Sequence, residues 1–146
     1  MPDGITLEVD GLKEFGKRLE KLKKDARTRV NRQVNVNAIE FQREVRKSIR
    51  RRSGRFRQYP RGGGKFHYSS TPSKPPNSDT GNLVKLIRVT RPAFGRNSYA
   101  TVMSGAKYSS ILEDKRGLNR PFFEPMLRKK RRIFAERMKQ AIRGLL

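Results

Sequence analysis

The sequence is organised around the stretch Pro75-Pro76-Asn77-Ser78-Asp79-Thr80-Gly81-Asn82-Leu83. The two prolines stop any helix that arrives from the N-terminal side, because proline lacks a backbone N–H and restricts the residue before it. Asp79 can cap a new helical turn through its side chain, and Gly81 supplies backbone freedom. The stretch therefore predicts a junction between a helical first half and a second half of two strands and a closing helix.

Apolar periodicity defines the elements before the junction. Ile5, Leu7 and Val9 alternate with polar residues, which predicts a short strand that ends at Gly11. The first helical stripe, on a basic amphipathic helix, consists of Leu12, Phe15, Leu19 and Leu22. The second stripe consists of Ala26, Val30, Val34, Ala38, Phe41, Val45 and Ile49. Its steps of three and four predict a helix of about seven turns that ends near Arg52.

Residues 53–78 lack apolar periodicity and predict a long, flexible, basic loop that orders on assembly. Gly62-Gly63-Gly64 and several prolines interrupt any regular element. Its aromatic residues, which alternate with cations, are Phe56, Tyr59, Phe66 and Tyr68. This mixture suits stacking on bases or docking on another protein, and the alternative is a solvated loop that orders only on assembly.

Two strands and a helix follow the junction. Residues 87–92 and 98–103 flank a turn-rich segment, 94–97, and predict an antiparallel hairpin. A short helical segment is expected over 107–113. In the last element Pro125 suits the first turn of a helix and Glu124 its positive end, so residues 120–146 form a predicted C-terminal helical segment. The length of 146 residues favours a single domain, 1–146.

The charge is the strongest global property of the chain. A net charge of +23 and a pI near 11.4 imply a polyanionic partner, such as nucleic acid, an acidic protein surface or a membrane face. Nucleic acid is favoured. The candidate residues that face DNA or a partner are Arg50, Arg51, Arg52, Arg55, Arg57, Arg61, Lys65, Arg128, Lys129, Lys130, Arg131 and Arg132. Hydrophobic residues make up 34%, so a modest core is expected, with burial completed by neighbouring subunits.

The sequence predicts no enzyme, no cofactor and no metal site. His67 is the only histidine, there is no cysteine, and the adjacent carboxylates of Glu113 and Asp114 diverge on a helix. Gly62-Gly63-Gly64-Lys65 lacks the spacing of a phosphate-binding P-loop. The absence of cysteine fits a protein made in the cytoplasm, Met1-Pro2-Asp3 does not begin a signal peptide, and no apolar run is long enough for a membrane span.

Three short motifs, in this order, resemble those of a known family. The motif positions are Thr80, Gly81 and Leu83, then Tyr108, Glu113 and Gly117, then Pro121, Phe122 and Pro125. The second motif departs from the family pattern by Ser109 in place of alanine and by the insertion of Asp114-Lys115-Arg116. Over residues 30–146 the chain resembles the head–tail joining family of long-tailed phages, the neck or tail-completion proteins similar to gene product ten of lambdoid siphophages.

The resemblance implies an α+β fold, in which a small antiparallel sheet is packed by a long N-terminal helix and a C-terminal helix. It also implies a virion protein that forms a homo-oligomeric ring at the neck, between portal, adaptor or stopper proteins and the tail tube or tail terminator. The genome would pass through this ring and touch it without sequence specificity. A tail-terminator or tail-completion role is the alternative within the family. A free basic nucleic-acid-binding protein is the alternative of another class.

Overall fold

The computed structural model describes residues 11–90 and 98–144, whose elements have an α+β arrangement, as predicted. The helices are α1 (Leu12–Arg50), α2 (Asn82–Leu86), α3 (Ser109–Glu113) and α4 (Glu124–Arg143). The strands are β1 (Gln58–Pro60), β2 (Phe66–Tyr68), β3 (Ile87–Thr90) and β4 (Thr101–Ser104). They form two antiparallel pairs, β1 with β2 and β3 with β4, in place of the single small sheet expected. The predicted strand at residues 5–9 and the turn at 94–97 lie outside the described residues.

Helix α1 is one continuous helix of 39 residues, about 58 Å long at the usual rise per residue. The sequence prediction treated its two apolar stripes separately. They join because Leu22 and Ala26 are themselves four residues apart, and the residues between them, Lys23-Lys24-Asp25, contain no helix breaker. The helix ends at Arg50, two residues earlier than predicted, where Arg51 turns to an extended conformation.

The core lies against the last third of α1. Its fully buried side chains are Val45, Ile49, Ile87 and Phe122. The other buried members of the same cluster are Phe41, Leu83, Val84, Ala106 and Leu112. The second predicted stripe is therefore confirmed from Ala38 to Ile49, whereas its earlier members are only partly buried. This core draws on α1, α2, β3, α3 and the approach to α4, so it holds the three resembling motifs together.

Helix α4 runs antiparallel to α1. At its start the Phe123 ring lies 6.1 Å from the Phe41 ring, centroid to centroid. At its end Nη1 of Arg29 donates a hydrogen bond to the carbonyl oxygen of Gly144, at 2.6 Å. Helix α4 begins at Glu124 with Pro125 in its first turn, which confirms the predicted start. The N-terminal part of α1, before Arg29, extends beyond the described end of α4.

The predicted loop of residues 53–78 contains regular structure that the sequence analysis did not foresee. Strands β1 and β2 pair from Gln58 with Tyr68 to Pro60 with Phe66, and the three consecutive glycines between them all have positive φ. Asn77 fixes the base of the loop: its Oδ1 accepts a hydrogen bond from the Ser53 amide, and its Nδ2 donates to the carbonyls of Gly54 and Tyr68. Strands of three residues are too short to produce a visible alternation. The flexibility of this loop in the isolated protein stays a prediction.

The junction differs from the prediction in one respect. Gly81 has a φ of 80° and directly precedes α2, so its backbone freedom is confirmed. Asp79 does not cap α2, because no side chain caps that helix and the Asp79 carboxylate instead pairs with Arg61 from the loop. Asp79 lies two residues before the N-cap position, and the guanidinium of Arg61 offers it a charged partner. The acidic residue of the junction therefore ties the loop to the body of the protein.

Candidate functional site

Glu113 joins two of the motifs by a direct set of hydrogen bonds. Its Oε2 accepts from the amides of Phe122 and Phe123, at 2.9 and 3.2 Å, and its Oε1 accepts from the amide of Glu124, at 2.8 Å. Amides at a helix start have no partner within the helix, and a negative charge there also complements the helix dipole. Glu113 therefore caps α4 from the end of α3. Sequence reasoning chose the residue but missed this role, since its partners lie nine to eleven positions away.

Gly117 lies where the chain folds back on α3. A Cβ atom at this position would lie 2.6 Å from the carbonyl oxygen of Ile111, which is closer than any side chain tolerates. The neighbouring amides of Leu118 and Arg120 donate to the carbonyls of Ile111 and Leu112. The inserted residues form a local turn in which the Asp114 carbonyl accepts from the Gly117 amide. The insertion thus leaves Gly117 closely packed, and the turn places Pro121 and Phe122 at the start of α4.

The remaining motif positions differ in exposure. Phe122 and Leu83 are buried in the core, Pro121 and Pro125 are partly buried, and Tyr108 is exposed just before α3. Thr80 accepts a weak hydrogen bond from the Asn82 amide at 3.4 Å. The motifs are therefore brought together mainly to build the fold around α2, α3 and the start of α4.

The turn after α3 also holds the basic loop. The Ser73 amide donates to the carbonyl of Asn119 at 2.6 Å, and Nδ2 of Asn119 donates to the Ser73 hydroxyl. Nε of Arg120 donates to the carbonyl of Ser70. These bonds link residues 70–73 to residues 119–120, about fifty positions away in the sequence. The base of the loop is therefore anchored on two sides, by Asn77 and by this turn.

A cavity of about 420 Å³ lies between the loop, the junction and α3. Its charged and titratable lining residues are Arg61, His67, Asp79, Tyr108 and Arg120. Burial lowers the pKa of His67, and the nearby Arg61 and Arg120 cations lower it further. His67 is therefore neutral near neutral pH, and its Nδ1 lies 3.6 Å from Oδ1 of Asp79, whose carboxylate also pairs with Arg61.

The structure separates the predicted basic residues into two groups. Lys130 points inward, since its side chain is 15% exposed and its Nζ lies 2.7 Å from Oε1 of Glu40. Arg61 pairs with Asp79, and Arg128 pairs with Glu124 within α4. Arg55 and Arg57 lie over the rings of Tyr68 and Phe56, so two of the four aromatic residues of the loop stack on its own cations. The exposed remainder comprises Arg50, Arg51, Arg52, Lys65, Lys129, Arg131 and Arg132.

A second set of cations, largely missed by sequence reasoning, forms a basic groove on α1. The groove has a volume of about 510 Å³ and is lined by Arg43, Arg46, Lys47, Arg50 and Arg51, together with Ile39 and Gln42. Nη2 of Arg46 and Nε2 of Gln42 both donate to the carbonyl of Ile87, which fixes one wall against β3. The remaining cations extend about 12 Å along the helix. The signal in the sequence was the spacing 43, 47, 50 and 51, which puts four cations on one helical face.

Glu40 links α1 to α4 by accepting hydrogen bonds from both Lys130 and Arg137. The hydrogen bonds from these two cations lower the pKa of Glu40 and outweigh the opposing effect of its burial. A carboxylate whose pKa is lowered by folding stabilises the folded state, and this contribution is complete at pH values above its ordinary pKa. The contribution is lost as the pH falls through the lowered pKa.

We expect Glu40→Gln to reduce the free energy of unfolding by about 1–2 kcal/mol near neutral pH, because a neutral amide binds the two cations weakly. The difference between the two proteins should shrink as the pH falls below the ordinary pKa of 4.5, since Glu40 is then progressively protonated. Urea denaturation at a series of pH values measures both effects. A difference that does not depend on pH would show that the charge of Glu40 does not stabilise the helix pair.

Within residues 11–90 and 98–144, no three His, Cys, Asp or Glu side chains come together in a way that could hold a metal ion. In the same part of the chain, no helix is long and apolar enough to cross a membrane.

Comparison with known proteins places the chain among phage structural proteins. Residues 13–114 match the model of a family described as "Bacteriophage HK97-gp10, putative tail-component". The match covers more than half of the chain, and the protein belongs to this family. It contains the first two resembling motifs up to Glu113, whereas Gly117 and the third motif lie beyond it. The search of curated proteins found no match, and the search of solved structures also found none.

Proposed function

We propose that this protein is a non-enzymatic structural subunit of the phage neck. In this proposal identical copies form a ring between the portal or connector and the tail, and the genome passes through the ring. Family membership supports a structural role in the tail or neck. The passage of DNA through the ring is supported by the basic groove on α1. There Arg43, Lys47, Arg50 and Arg51 form a row, and no carboxylate is among the lining residues.

The basic groove suits contact with a moving duplex. Contacts between lysine or arginine and the phosphates do not depend on the base sequence, so DNA can slide past these side chains. Arg50 and Arg51 also lie where α1 leads into the basic loop, and Arg52 follows them. One continuous basic surface would therefore run from the groove to the base of the loop. Arg55 and Arg57 lie over two of the four aromatic rings of the loop, Tyr68 and Phe56, which favours phosphate contact over base stacking at these two rings.

Two other functions are compatible with the same family or the same charge. A tail terminator or tail-completion protein would use a similar small α+β subunit in a ring at another position of the tail. A free nucleic-acid-binding protein would use the basic groove without assembling into virions. Electron microscopy of purified protein and of virions separates these functions. Closed rings at the head–tail junction support the proposal, and a monomer that is absent from particles contradicts it.

For the basic groove, we expect the variant Arg43→Gln, Lys47→Gln, Arg50→Gln and Arg51→Gln to bind duplex DNA more weakly and with less dependence on salt. Each lost phosphate contact removes about 0.9 from the slope of log affinity against log salt concentration, so four contacts remove about 3–4. Fluorescence anisotropy over a series of salt concentrations measures the slope.

The matched control removes the same charge from the opposite end of α1, in the variant Lys13→Gln, Lys17→Gln, Lys21→Gln and Lys24→Gln. Its slope should fall by less than about 1 if the basic groove holds the DNA. Equal losses in the two variants would mean that only the total charge matters, and that the groove is not a DNA site.

A further inference from the structure

The N-terminal part of α1 carries an apolar face that packs against no other element among the described residues. We call residues 11–25 the overhang. Every side chain described from Lys13 to Asp25 is exposed. Phe15, Leu19 and Leu22 are 60%, 42% and 47% exposed, and their spacing of four and three puts them on one side of the helix. A lysine-rich helix of this length is marginal in water by itself, so contact with another surface would stabilise it.

An open apolar groove lies on the body of the protein. It has a volume of about 340 Å³ between α1, α4 and β4, and we call it the apolar groove. Its apolar walls include Val34, Ala38, Val102, Leu127, Phe134 and Met138. Leu127 is half-exposed at its edge. The space is large enough for two or three apolar side chains, which is what the overhang presents.

The overhang cannot reach the apolar groove of its own chain. Phe15 and Ala38 lie on the same continuous helix, 23 residues apart, so about 35 Å separate them along the axis. A helix does not fold back on itself without a break, and α1 has none between these residues. The stripe and the groove can therefore meet only when they belong to different copies.

Charge explains why this segment is the one that approaches another copy. Residues 1–25 contain six Lys and Arg and six Asp and Glu, so the whole net charge of +23 lies in residues 26–146. Two bodies with such a charge repel each other, whereas residues 1–25 together are neutral and the overhang itself carries only +3, from six Lys and Arg against three Asp and Glu. The overhang therefore approaches a basic body at a lower electrostatic cost than a second body would. Glu14 and Asp25 lie along one flank of the stripe, and Arg131 is exposed one turn after Leu127 on α4. Arg18 and Lys21 lie between these two carboxylates on the same flank, so the flank is mixed in charge. Glu14 and Asp25, at its two ends, are the groups that Arg131 would meet beside the groove.

We infer that the stripe of Phe15, Leu19 and Leu22 in one copy docks in the apolar groove of a second copy. The inference rests on the self-assembly proposed above and identifies the contact that produces it. The contact joins two different surfaces, so each copy offers a stripe to one neighbour and a groove to another. Contacts of this heterologous kind build closed rings when the rotation between copies permits closure.

Cysteine cross-linking tests the contact directly, because the chain has no cysteine of its own. One preparation carries Leu19→Cys and the other carries Leu127→Cys, and the two are mixed and treated with a short bismaleimide. We expect a mixed dimer that contains one chain of each kind. Lys17→Cys, on the opposite face of the overhang, is the matched control and should give little of the mixed dimer. Equal yields from Lys17→Cys and Leu19→Cys would overturn the inference.

A second measurement separates the inference from the proposed ring. Phe15→Ser with Leu22→Ser should weaken self-association by about 30-fold or more in sedimentation velocity, as expected when a buried aromatic anchor is lost. Lys17→Ser with Lys24→Ser is the control and should assemble like the wild type. Both variants should keep the wild-type melting temperature of the monomer, because the overhang lies outside the core.

The possible outcomes distinguish the two proposals. Rings that form equally well from Phe15→Ser with Leu22→Ser would overturn this contact and leave the ring in place. A wild-type protein that stays monomeric and is absent from virions would instead overturn the ring. A cross-link within single monomers that carry both Leu7→Cys and Leu127→Cys would show that residues 1–10 fill the groove, and would also overturn the inference.

Discussion

Phe122→Ala should lower the free energy of unfolding by about 3–5 kcal/mol, the largest effect expected of any single substitution discussed here. Phe122 is 0% exposed and belongs to the core cluster with Val45, Ile49 and Ile87. Its ring lies 4.8 Å from that of Phe123, centroid to centroid, and Phe123 in turn lies against Phe41. Removal of the ring leaves a cavity where α1, α3 and α4 meet, and such a core cannot collapse to fill it without moving a helix.

Thermal and urea denaturation of the variant measure this loss, and a decrease in the melting temperature of about 10–15 °C is expected for a chain of this size. Phe41→Ala should act in the same direction, since Phe41 packs against the same ring pair. The matched control is Phe66→Ala, because Phe66 is 55% exposed in strand β2. It should change the free energy by less than about 1 kcal/mol. An unchanged melting temperature for Phe122→Ala would contradict the core described here.

Glu113→Ala should lower the free energy of unfolding by about 2–3 kcal/mol, because three amides at the start of α4 lose a charged acceptor. The amides of Phe122 and Phe123 are partly shielded by the core, so water replaces the carboxylate poorly. Glu113→Gln retains one oxygen acceptor and should lose about half as much. Urea denaturation near neutral pH measures both variants.

Glu136→Ala is the control for loss of a glutamate, because Glu136 pairs with Lys139 on the exposed face of α4. We expect only a small change for this exposed surface pair, well below that of Glu113→Ala. If Glu113→Ala and Glu136→Ala had equal effects, the cap would not contribute beyond an ordinary surface charge. A further check is amide hydrogen exchange at residues 124–127, which should accelerate in Glu113→Ala alone.

The elements with strong periodicity could be predicted from the sequence. The long stripe on α1, the strand pair around β3 and β4, and the start of α4 at Pro125 all follow from local patterns. The family resemblance, expected over residues 30–146, is confirmed by a family match over residues 13–114. These features depend on side chains that are close together in the sequence. Apolar residues that recur every three or four positions in a helix, or every two in a strand, therefore reveal them.

The parts that sequence reasoning missed depend on distant partners. Glu113 caps amides that follow it by nine to eleven residues, and Asp79 pairs with Arg61 instead of capping α2. Lys130 was grouped with solvent-facing cations, although Glu40 draws it toward α1 from ninety positions away. No local pattern encodes such pairs, because 36 Lys and Arg compete for 13 Asp and Glu and only the fold determines which of them meet.

The hydrogen bonds of Asn77 allow the length of the β1–β2 hairpin to vary during evolution. Its three hydrogen bonds join Ser53, Gly54 and Tyr68, so both ends of the β1–β2 hairpin are fixed at one point. The cost of closing a loop rises only slowly with its length once the ends are held together. Residues can therefore be added or lost around Gly62-Gly63-Gly64 while the core keeps its stability. The hairpin tip is thus a place where the reach of this protein toward its neighbours can be adjusted independently of its fold.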